Sequence, residues 1–326
     1  MNKIKKMDAN VVRLIGILIL FLAVAAITKG DQFMKVTVFQ TMGKQLAEYG
    51  LMAIGCGLCM ISGGIDLSCV YIANLCGIVA GLMLQSGGTP AIVAILAAVA
   101  IGAICGAFNG VLVGYVGIPA MLATLGSYQL FQGIAVVISK GSSVSGIPKS
   151  YTALGSLTLA GLPLPFIIFI VAVIIVSFIM QRTTFGTKVY FVGTNAKCST
   201  FAGIKNKTVL VKTYMISGLL AGCAGLLSLA RINSAKADFG SSYTMQCILI
   251  SVLGGVNPNG GFGTVPGIAI AVLILQMMSS YLNTFPNISN YYRDFIWGAA
   301  LLLVLIYNFV SEKKKTQKLA KATKEN

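Results

Sequence analysis

One acidic residue, Asp66, lies inside a long apolar stretch of the chain, in the segment Ser62-Gly-Gly-Ile-Asp-Leu-Ser68. It is the only acid between Glu48 and Asp238. A charge at membrane depth costs roughly 2.5–3.5 kcal/mol on insertion scales, so it normally has a partner or a water-filled neighbour. Three interpretations are open: proton exchange in a secondary carrier, a part in gating or solute passage, and a turn that caps a helix.

The neighbours of Asp66 favour a break between two helices. Gly63 and Gly64 interrupt helical structure, and Ser68 can cap the helix that follows. Asp66 would then lie near the positive N-terminal end of that helix. We therefore expect Gly63, Gly64, Asp66 and Ser68 to form one gating or structural motif.

A second candidate lies in the segment from Gln181 to Lys212, which contains basic residues and no acid. Asn195 is suited to N-cap a two-turn helix over Ala196–Ala202, and Gly203 is suited to follow its C-terminus. Helices this short are unstable alone in water, so this one needs a surface, either the membrane interface or a cytoplasmic partner. The residues assigned to it are Asn195, Ala196, Lys197, Thr200, Phe201, Ala202 and Gly203.

The sequence gives little support for a redox site, a metal site or an ATP-hydrolysing site. Cys56-Gly-Leu-Cys59 has the spacing of a redox or metal pair, but there is no second such pair and no histidine in the chain, so the eight cysteines are interpreted as small core residues. We expect no metal and no cofactor. The Gly-x4-Gly-Lys-Ser/Thr motif is absent too, so any ATP hydrolysis must occur on another chain.

The elements that must position these residues are membrane helices. The chain has 326 residues, 56% hydrophobic and 10% charged, against roughly 25% charged in a soluble domain. About 20 apolar residues span a bilayer, which predicts an all-α polytopic membrane protein with about ten transmembrane helices. The apolar runs are 11–27, 46–62, 67–84, 91–113, 120–138, 165–180, 209–230, 243–254, 265–282 and 295–310.

The distribution of the net charge of +16 predicts the orientation. With the N-terminus inside, the segments 1–13, 182–212 and 311–326 face the cytoplasm and carry most of the basic residues, as the positive-inside rule requires. Both termini are then cytoplasmic, flanking a permease domain over 11–310, with residues 1–10 as a short N-terminus and 311–326 as a basic tail. Basic residues at the ends of apolar runs do not indicate nucleic-acid binding.

The first apolar run could be taken for a secretory signal, because Ala23-Val24-Ala25 has the form of a cleavage site. The run exceeds the 7 to 15 residues of a signal core, and further membrane segments follow it. We expect it to be kept as the first transmembrane helix.

Regular glycine spacing marks the fourth apolar run, where glycine recurs every four residues from Gly102 to Gly114. Gly218 and Gly222 repeat the spacing in the seventh run. Small residues let helix backbones approach closely in lipid. Tight helix packing is therefore expected here, and the alternative is that these faces slide during transport.

Polar residues in the fifth apolar run are candidates to line a solute pathway. Thr124, Ser127 and Tyr128 have the spacing of one helix face, although the same polarity can bind helices together. The full set is Thr124, Ser127, Tyr128, Gln129 and Gln132.

Four motifs in order make the chain resemble the ribose-type monosaccharide permeases of ATP-binding-cassette (ABC) transporters, from about Gln45 to Ile306. One departure is Gln246, where members of that family commonly have an acidic residue. The motifs are Ser62-Gly-Gly-Ile-Asp-Leu-Ser68, Ile118-Pro-Ala-Met-Leu-Ala-Thr-Leu-Gly126, Phe191-Val-Gly-Thr-Asn-Ala196 with Ala202-Gly-Ile204, and Val252-Leu-Gly-Gly255 with Gly260-Gly261 and Gly263-Thr-Val-Pro-Gly267.

The resemblance implies a vitamin-B12-importer-like (type II ABC importer) fold in the cytoplasmic (inner) membrane of a bacterium. It also implies the partners: two ATPase subunits, a second or homologous permease copy, an external solute-binding protein and membrane lipids. The helix over Ala196–Ala202 would be the coupling helix that contacts the ATPase.

Three functions are compatible with these features. The first is the non-catalytic permease subunit of an importer for a small sugar, a ribose-like pentose or a hexose, with autoinducer-2 or another small polyol as alternatives. The second is a proton-coupled secondary carrier that uses Asp66, which lacks a second buried acid for a relay. The third, a membrane-embedded enzyme, would require clustered catalytic groups, and none appears.

Overall fold

The computed structural model describes residues 9–285 and scattered positions from 292 to 306. Helices dominate these residues. They are α1 (Ala9–Phe33), α2 (Val36–Ile61), α3 (Cys69–Gln85), α4 (Ala91–Val111), α5 (Ala120–Ser139), α6 (Lys149–Ser156), α7 (Leu164–Arg182), α8 (Thr184–Thr194), α9 (Ala196–Phe201), α10 (Asn206–Ile232), α11 (Tyr243–Leu253) and α12 (Val265–Leu282). A π-helical segment, Leu112–Val116, extends α4.

Each of the first nine apolar runs coincides with a helix, and the tenth, 295–310, falls mostly outside the described residues. Six helices in the described part are long and apolar enough to cross a membrane: α1, α4 with its π-helical extension, α5, α7, α10 and α12. The helices α3 and α11 are apolar but shorter. The chain is therefore a multi-pass membrane protein.

Helix α2 lies at the centre of the bundle, packed against α10, α11, α12 and α7. The apolar pattern placed its start at Leu46, which is wrong by ten residues, because the helix begins at Val36. Polar residues such as Gln40 and Lys44 interrupt the apolar run at this end of α2, and Glu48 is an acid inside the run. Glu48 is nevertheless only 1% exposed, since a basic residue on another helix neutralises it.

The glycine spacing marks a close contact between two helices, α4 and α10. A Cβ atom on Gly102 would lie 2.5 Å from the carbonyl oxygen of Gly218, and one on Gly106 would lie 3.0 Å from the Cα atom of Gly218. Those distances leave no room for a side chain. Tight packing between α4 and α10 is confirmed.

The segments between the spans contain structure that apolar patterning missed. Helix α8 lies within the predicted basic loop, and α6 lies between α5 and α7. The all-α expectation also needs a small correction, because four two-residue strands form antiparallel pairs: β1 (Val144–Ser145) with β4 (Ser234–Ala235), and β2 (Thr158–Leu159) with β3 (Leu162–Pro163). Neither α6 nor the strands are apolar enough to be seen by hydropathy.

The connecting segments gather at two ends of the bundle. At one end, the backbone N–H of Gly261 donates to the carbonyl of Ile61 at 2.9 Å, which joins the glycine-rich segment after α11 to the end of α2. At the other end, the N–H of Ile147 donates to the Asn233 side chain at 3.1 Å. The two ends are called here the α9 end and the β1–β4 end.

Candidate functional site

The segment after α2 turns sharply at the α9 end and buries Asp66 completely. Gly63 adopts φ +92°, a conformation that favours glycine. The Oδ1 atom of Asp66 accepts hydrogen bonds from the backbone N–H of Ser68 at 2.9 Å and from its hydroxyl at 2.7 Å. The expected cap by the Ser68 side chain is therefore wrong, because its hydroxyl donates to Asp66 and makes no cap bond.

Hydrogen bonds from other helices complete the surroundings of Asp66. The Ser217 hydroxyl on α10 donates to its Oδ2 atom at 2.9 Å. Asn109 on α4 donates from Nδ2 to the Ser68 hydroxyl at 2.7 Å. Within the described part of the chain no basic side chain forms an ion pair with Asp66. The carboxylate is thus held by neutral donors, and it ties the turn to α4 and α10.

A cleft of about 320 Å³ separates the turn that carries Gly63 and Gly64 from the start of α9. Asn195 and Tyr214 also line this cleft. The Tyr214 hydroxyl is buried and finds no hydrogen-bond partner among the described residues. The turn and α9 are therefore neighbours around one cavity.

Helix α9 ends at Phe201, one residue earlier than predicted. The two residues predicted to flank it, Asn195 and Gly203, are both in place. The Oδ1 atom of Asn195 accepts from the backbone N–H groups of Lys197 and Cys198, both at 3.0 Å. Gly203 follows the helix with φ +78°. Asn206 at the start of α10 donates to the carbonyl of Ala196 at 2.7 Å. These bonds fix the orientation of a helix that would not be stable alone.

One face of α9 is left uncovered by the described residues. Ser199 is buried against the body of the protein, whereas Phe201 is 91% exposed. Lys197, Thr200 and Ala202 are exposed as well. An exposed aromatic side chain on a rigidly held helix is a suitable anchor for a partner surface.

The five pathway candidates on α5 do not share one environment. Thr124 is fully buried, and its hydroxyl donates to the carbonyl of Ile65 at 3.0 Å. Ser127 is also buried and bonds within its own helix. The Tyr128 ring packs on Tyr71 of α3 at 4.5 Å between centroids. Thr124 and Tyr128 therefore join α5 to neighbouring segments.

The other two candidates on α5 are open to the surroundings in this chain. Gln129 is exposed and Gln132 is half-buried. Of the five, these two are therefore free of the helix contacts that hold Thr124 and Tyr128.

An ion pair that the sequence analysis missed lies toward the β1–β4 end. Arg231 at the end of α10 pairs with Glu48 of α2 through Nε to Oε1 and through Nη2 to Oε2, the latter at 3.0 Å. Glu48 is almost fully buried, while the Arg231 side chain is 24% exposed. The available signal was an acid at 48 and a base at 231, each beside an apolar run, but their pairing is not encoded in local sequence.

A polar cleft of about 340 Å³ opens beside this ion pair. The hydroxyl of Tyr49 donates to Gln276 Oε1, and Gln276 Nε2 donates to Gln45 Oε1 at 2.9 Å. Aromatic rings, amides and hydroxyls dominate the lining. It consists of Gln45, Tyr49, Arg231, Ile232, Phe239, Tyr243, Gln246, Gln276 and Ser279.

Comparison with known proteins identifies the family. Residues 42–305 match the family described as branched-chain amino acid transport system, permease component. The chain belongs to this permease family. The matched region includes α3 to α12 in full, and with them the Asp66 turn, α9 and the polar cleft.

The relatives of the permease are import proteins. It is 31% identical to the ribose import permease protein RbsC of Bacillus subtilis, over 90% of each chain. It is 30% identical to the autoinducer 2 import system permease protein LsrD of Yersinia enterocolitica, over 80% of each chain. The LsrD protein of Escherichia coli is 31% identical, over 80% of the permease and 81% of the relative. No solved structure matches the permease.

Proposed function

We propose that the permease is the membrane subunit of an ATP-driven importer that moves a small sugar, a ribose-like pentose or a hexose, or else autoinducer-2 or a similar polyol. An external binding protein would deliver the solute, and two separate ATPase subunits would supply the energy. A second or homologous permease copy would complete the pathway in the inner membrane of a bacterium. The relatives support this proposal, because their names describe ribose and autoinducer 2 import.

The observation that carries the proposal is the exposed face of α9. A self-sufficient carrier has no need for a short helix that is capped at both ends and presents Phe201 away from the protein. Buried aromatic anchors commonly dominate interface energies. A cleft on an ATPase is the partner that would cover Phe201, with Lys197 near its rim.

The orientation follows from charge. The basic segment 182–212 places the α9 end in the cytoplasm by the positive-inside rule, and the β1–β4 end then faces outward. In this arrangement the chain has about ten spans, both termini inside, and the vitamin-B12-importer-like fold that the resemblance implies. Solute would enter at the outer end and leave near the Asp66 turn.

Within this proposal the motif of Gly63, Gly64, Asp66 and Ser68 holds the inner end of the pathway to α10. Asp66 accepts hydrogen bonds from the Ser68 hydroxyl within the motif and from Ser217 on α10, and such neutral donors suit a positioning role. The alternative is a proton-coupled carrier in which Asp66 itself titrates. That carrier would transport without an ATPase.

The test is replacement of Phe201. Phe201→Ala should weaken ATPase binding by about 2 kcal/mol, roughly thirtyfold, and Phe201→Asp should weaken it further because it would bury an unpaired charge. Leu157→Asp, at an exposed position of the β1–β4 end, is the matched control. Co-purification with the ATPase and solute-stimulated ATP hydrolysis are measured, with the thermal stability of the permease as the folding check.

Normal co-purification and normal ATP hydrolysis in Phe201→Asp would contradict the proposal. Phe201 would then be an anchor in the lipid interface. Solute uptake by the permease in vesicles without any ATPase would favour the carrier.

A further inference from the structure

The polar cleft at the β1–β4 end has the size and composition of a ligand site. Its volume of about 340 Å³ falls at the small end of the roughly 300–1,000 Å³ that ligand pockets occupy. Four helices contribute to it: α2, α10, α11 and α12. The described lining of the cleft therefore comes from one permease chain.

Gln246 presents a side-chain amide to the cleft. Its residue is 5% exposed, and it lines the cleft from the first turn of α11. Its backbone N–H is bonded to Ser242, but its side-chain amide makes no hydrogen bond to any residue that the structure describes. Buried amides are normally hydrogen-bonded, and because Gln246 lines the cleft, its amide is open to water or to a solute that enters there.

The charge of the cleft selects the kind of partner. The Nε and Nη2 atoms of Arg231 donate to the carboxylate of Glu48, so the pair as a whole carries no net charge. The remaining polar lining consists of amides and hydroxyls, such as Gln45 and Ser279. Among the described lining residues, no charged side chain lacks a partner of opposite charge. A zwitterionic amino acid needs a counter-charge at each end, whereas a neutral hydroxylated molecule needs only donors and acceptors.

Aromatic rings give the cleft flat apolar faces beside these polar groups. The rings of Tyr49 and Tyr243 lie 5.9 Å apart, and those of Phe239 and Tyr243 lie 6.0 Å apart at 87°. The face of an aromatic ring is electron-rich, which suits the polarised C–H groups of a sugar ring. Amides can hydrogen-bond to the hydroxyl groups of a monosaccharide, and aromatic ring faces can pack against its C–H groups. The cleft offers both kinds of group.

We propose that this cleft is a binding subsite for a neutral polyhydroxylated solute, a monosaccharide or small polyol, formed within a single permease chain. The proposal rests on the proposed import function. It adds where the solute is held and why a sugar is preferred to an amino acid, although the family description mentions amino acids. The cleft is far from α9: about 25 residues of α10 separate Asn206 from Arg231, or about 37 Å of helix.

The experiment measures ligand-induced thermal stabilisation of the purified full-length permease. The probes are D-ribose, D-glucose and mannitol as neutral hydroxylated molecules, with L-leucine as the zwitterion. At least one neutral probe should raise the melting temperature, and L-leucine should not. Gln246→Leu preserves size but removes the amide, and it should lower affinity for the stabilising probe about tenfold, as expected for lost hydrogen bonds.

Met245→Leu is the matched control, because Met245 is the neighbour of Gln246 on α11 and is 57% exposed. The Met245→Leu variant should show the same ligand-induced rise in melting temperature as the wild type. The proposal is overturned if none of the neutral probes stabilises the permease, if L-leucine does so, or if Gln246→Leu keeps wild-type affinity. Melting of the ligand-free variants shows that they fold, since Gln246 has no side-chain bond to lose.

This result is separable from the test of α9. Loss of sugar binding with normal ATPase coupling would remove the subsite and leave the importer function intact. Sugar binding that depends on Gln246, combined with normal coupling in Phe201→Asp, would retain the subsite and remove the proposed role of α9.

Discussion

The Ser217 hydroxyl donates to the Oδ2 atom of Asp66 across 2.9 Å, although the two residues are 151 positions apart. Ser217 lies midway along α10, and α9 directly precedes α10. The same helix ends at Arg231, beside the polar cleft. α10 therefore touches the Asp66 turn, the exposed helix and the cleft.

Asp66→Asn should reduce both stability and transport. The carboxylate accepts three hydrogen bonds, two of them from Ser68, and an amide would present a donor where an acceptor is required. We expect a loss of about 1–3 kcal/mol and reduced uptake in energised vesicles, with membrane insertion intact. Asp31→Asn, at an exposed acid of α1, is the control. Unchanged melting and uptake would show that Asp66 is dispensable.

Arg231→Met should be strongly destabilising, by about 3–5 kcal/mol, because it leaves Glu48 buried without its partner. Adding Glu48→Leu to that variant should restore most of the lost stability, since the double variant has no unpaired buried charge. Thermal unfolding of the single and double variants measures this. Lys236→Met at the exposed pair with Asp238 should change stability by about 1 kcal/mol or less. Equal effects at both pairs would argue against burial as the cause.

Gly106→Ala should destabilise the contact between α4 and α10 by about 1–3 kcal/mol, because the added methyl group has no space. Gly126→Ala on α5 should instead be neutral or stabilising by up to about 1 kcal/mol, since nothing lies within 4 Å of its Cβ position. Melting temperatures of the two variants test the contrast. A stable Gly106→Ala variant would mean that the helices can separate without cost.

Asn195→Ala should loosen α9 without affecting the membrane domain. Removing the side chain that caps Lys197 and Cys198 costs about 1 kcal/mol of helix stability, so ATPase affinity should fall about fivefold. The melting temperature of the permease alone should stay constant. Thr187→Ala, at an exposed position of α8, serves as the control. Full ATPase affinity in Asn195→Ala would indicate that the partner does not need a preformed helix.

The orientation is testable with a native residue. Cys198 is the exposed cysteine on α9, so a membrane-impermeant maleimide should label it in inverted vesicles and not in intact cells. Cys198→Ser should abolish that label. In the Cys198→Ser background, Ser143→Cys at the opposite end should be labelled in intact cells. Labelling of Cys198 from outside would overturn the orientation and the ten-span topology with it.

Local sequence determined the features that depend on neighbouring residues. Apolar runs located nine helices, because lipid requires each span to satisfy its backbone internally. The caps at Asn195 and Gly203 were predictable because each involves residues within a few positions. The four-residue glycine spacing predicted close packing of α4, since it places every glycine on one helix face.

Tertiary structure decided which polar groups meet. Glu48 and Arg231 are 183 positions apart, and only the packing of α2 against α10 brings the two charges together. Thr124 was a pathway candidate by helix periodicity, yet it is buried, with its hydroxyl within hydrogen-bond distance of the carbonyls of Ala120 and Ile65. The cleft that holds Gln246 and Gln276 exists only where four helices converge. Periodicity predicts the face of a helix on which a residue lies, whereas packing determines what that face contacts.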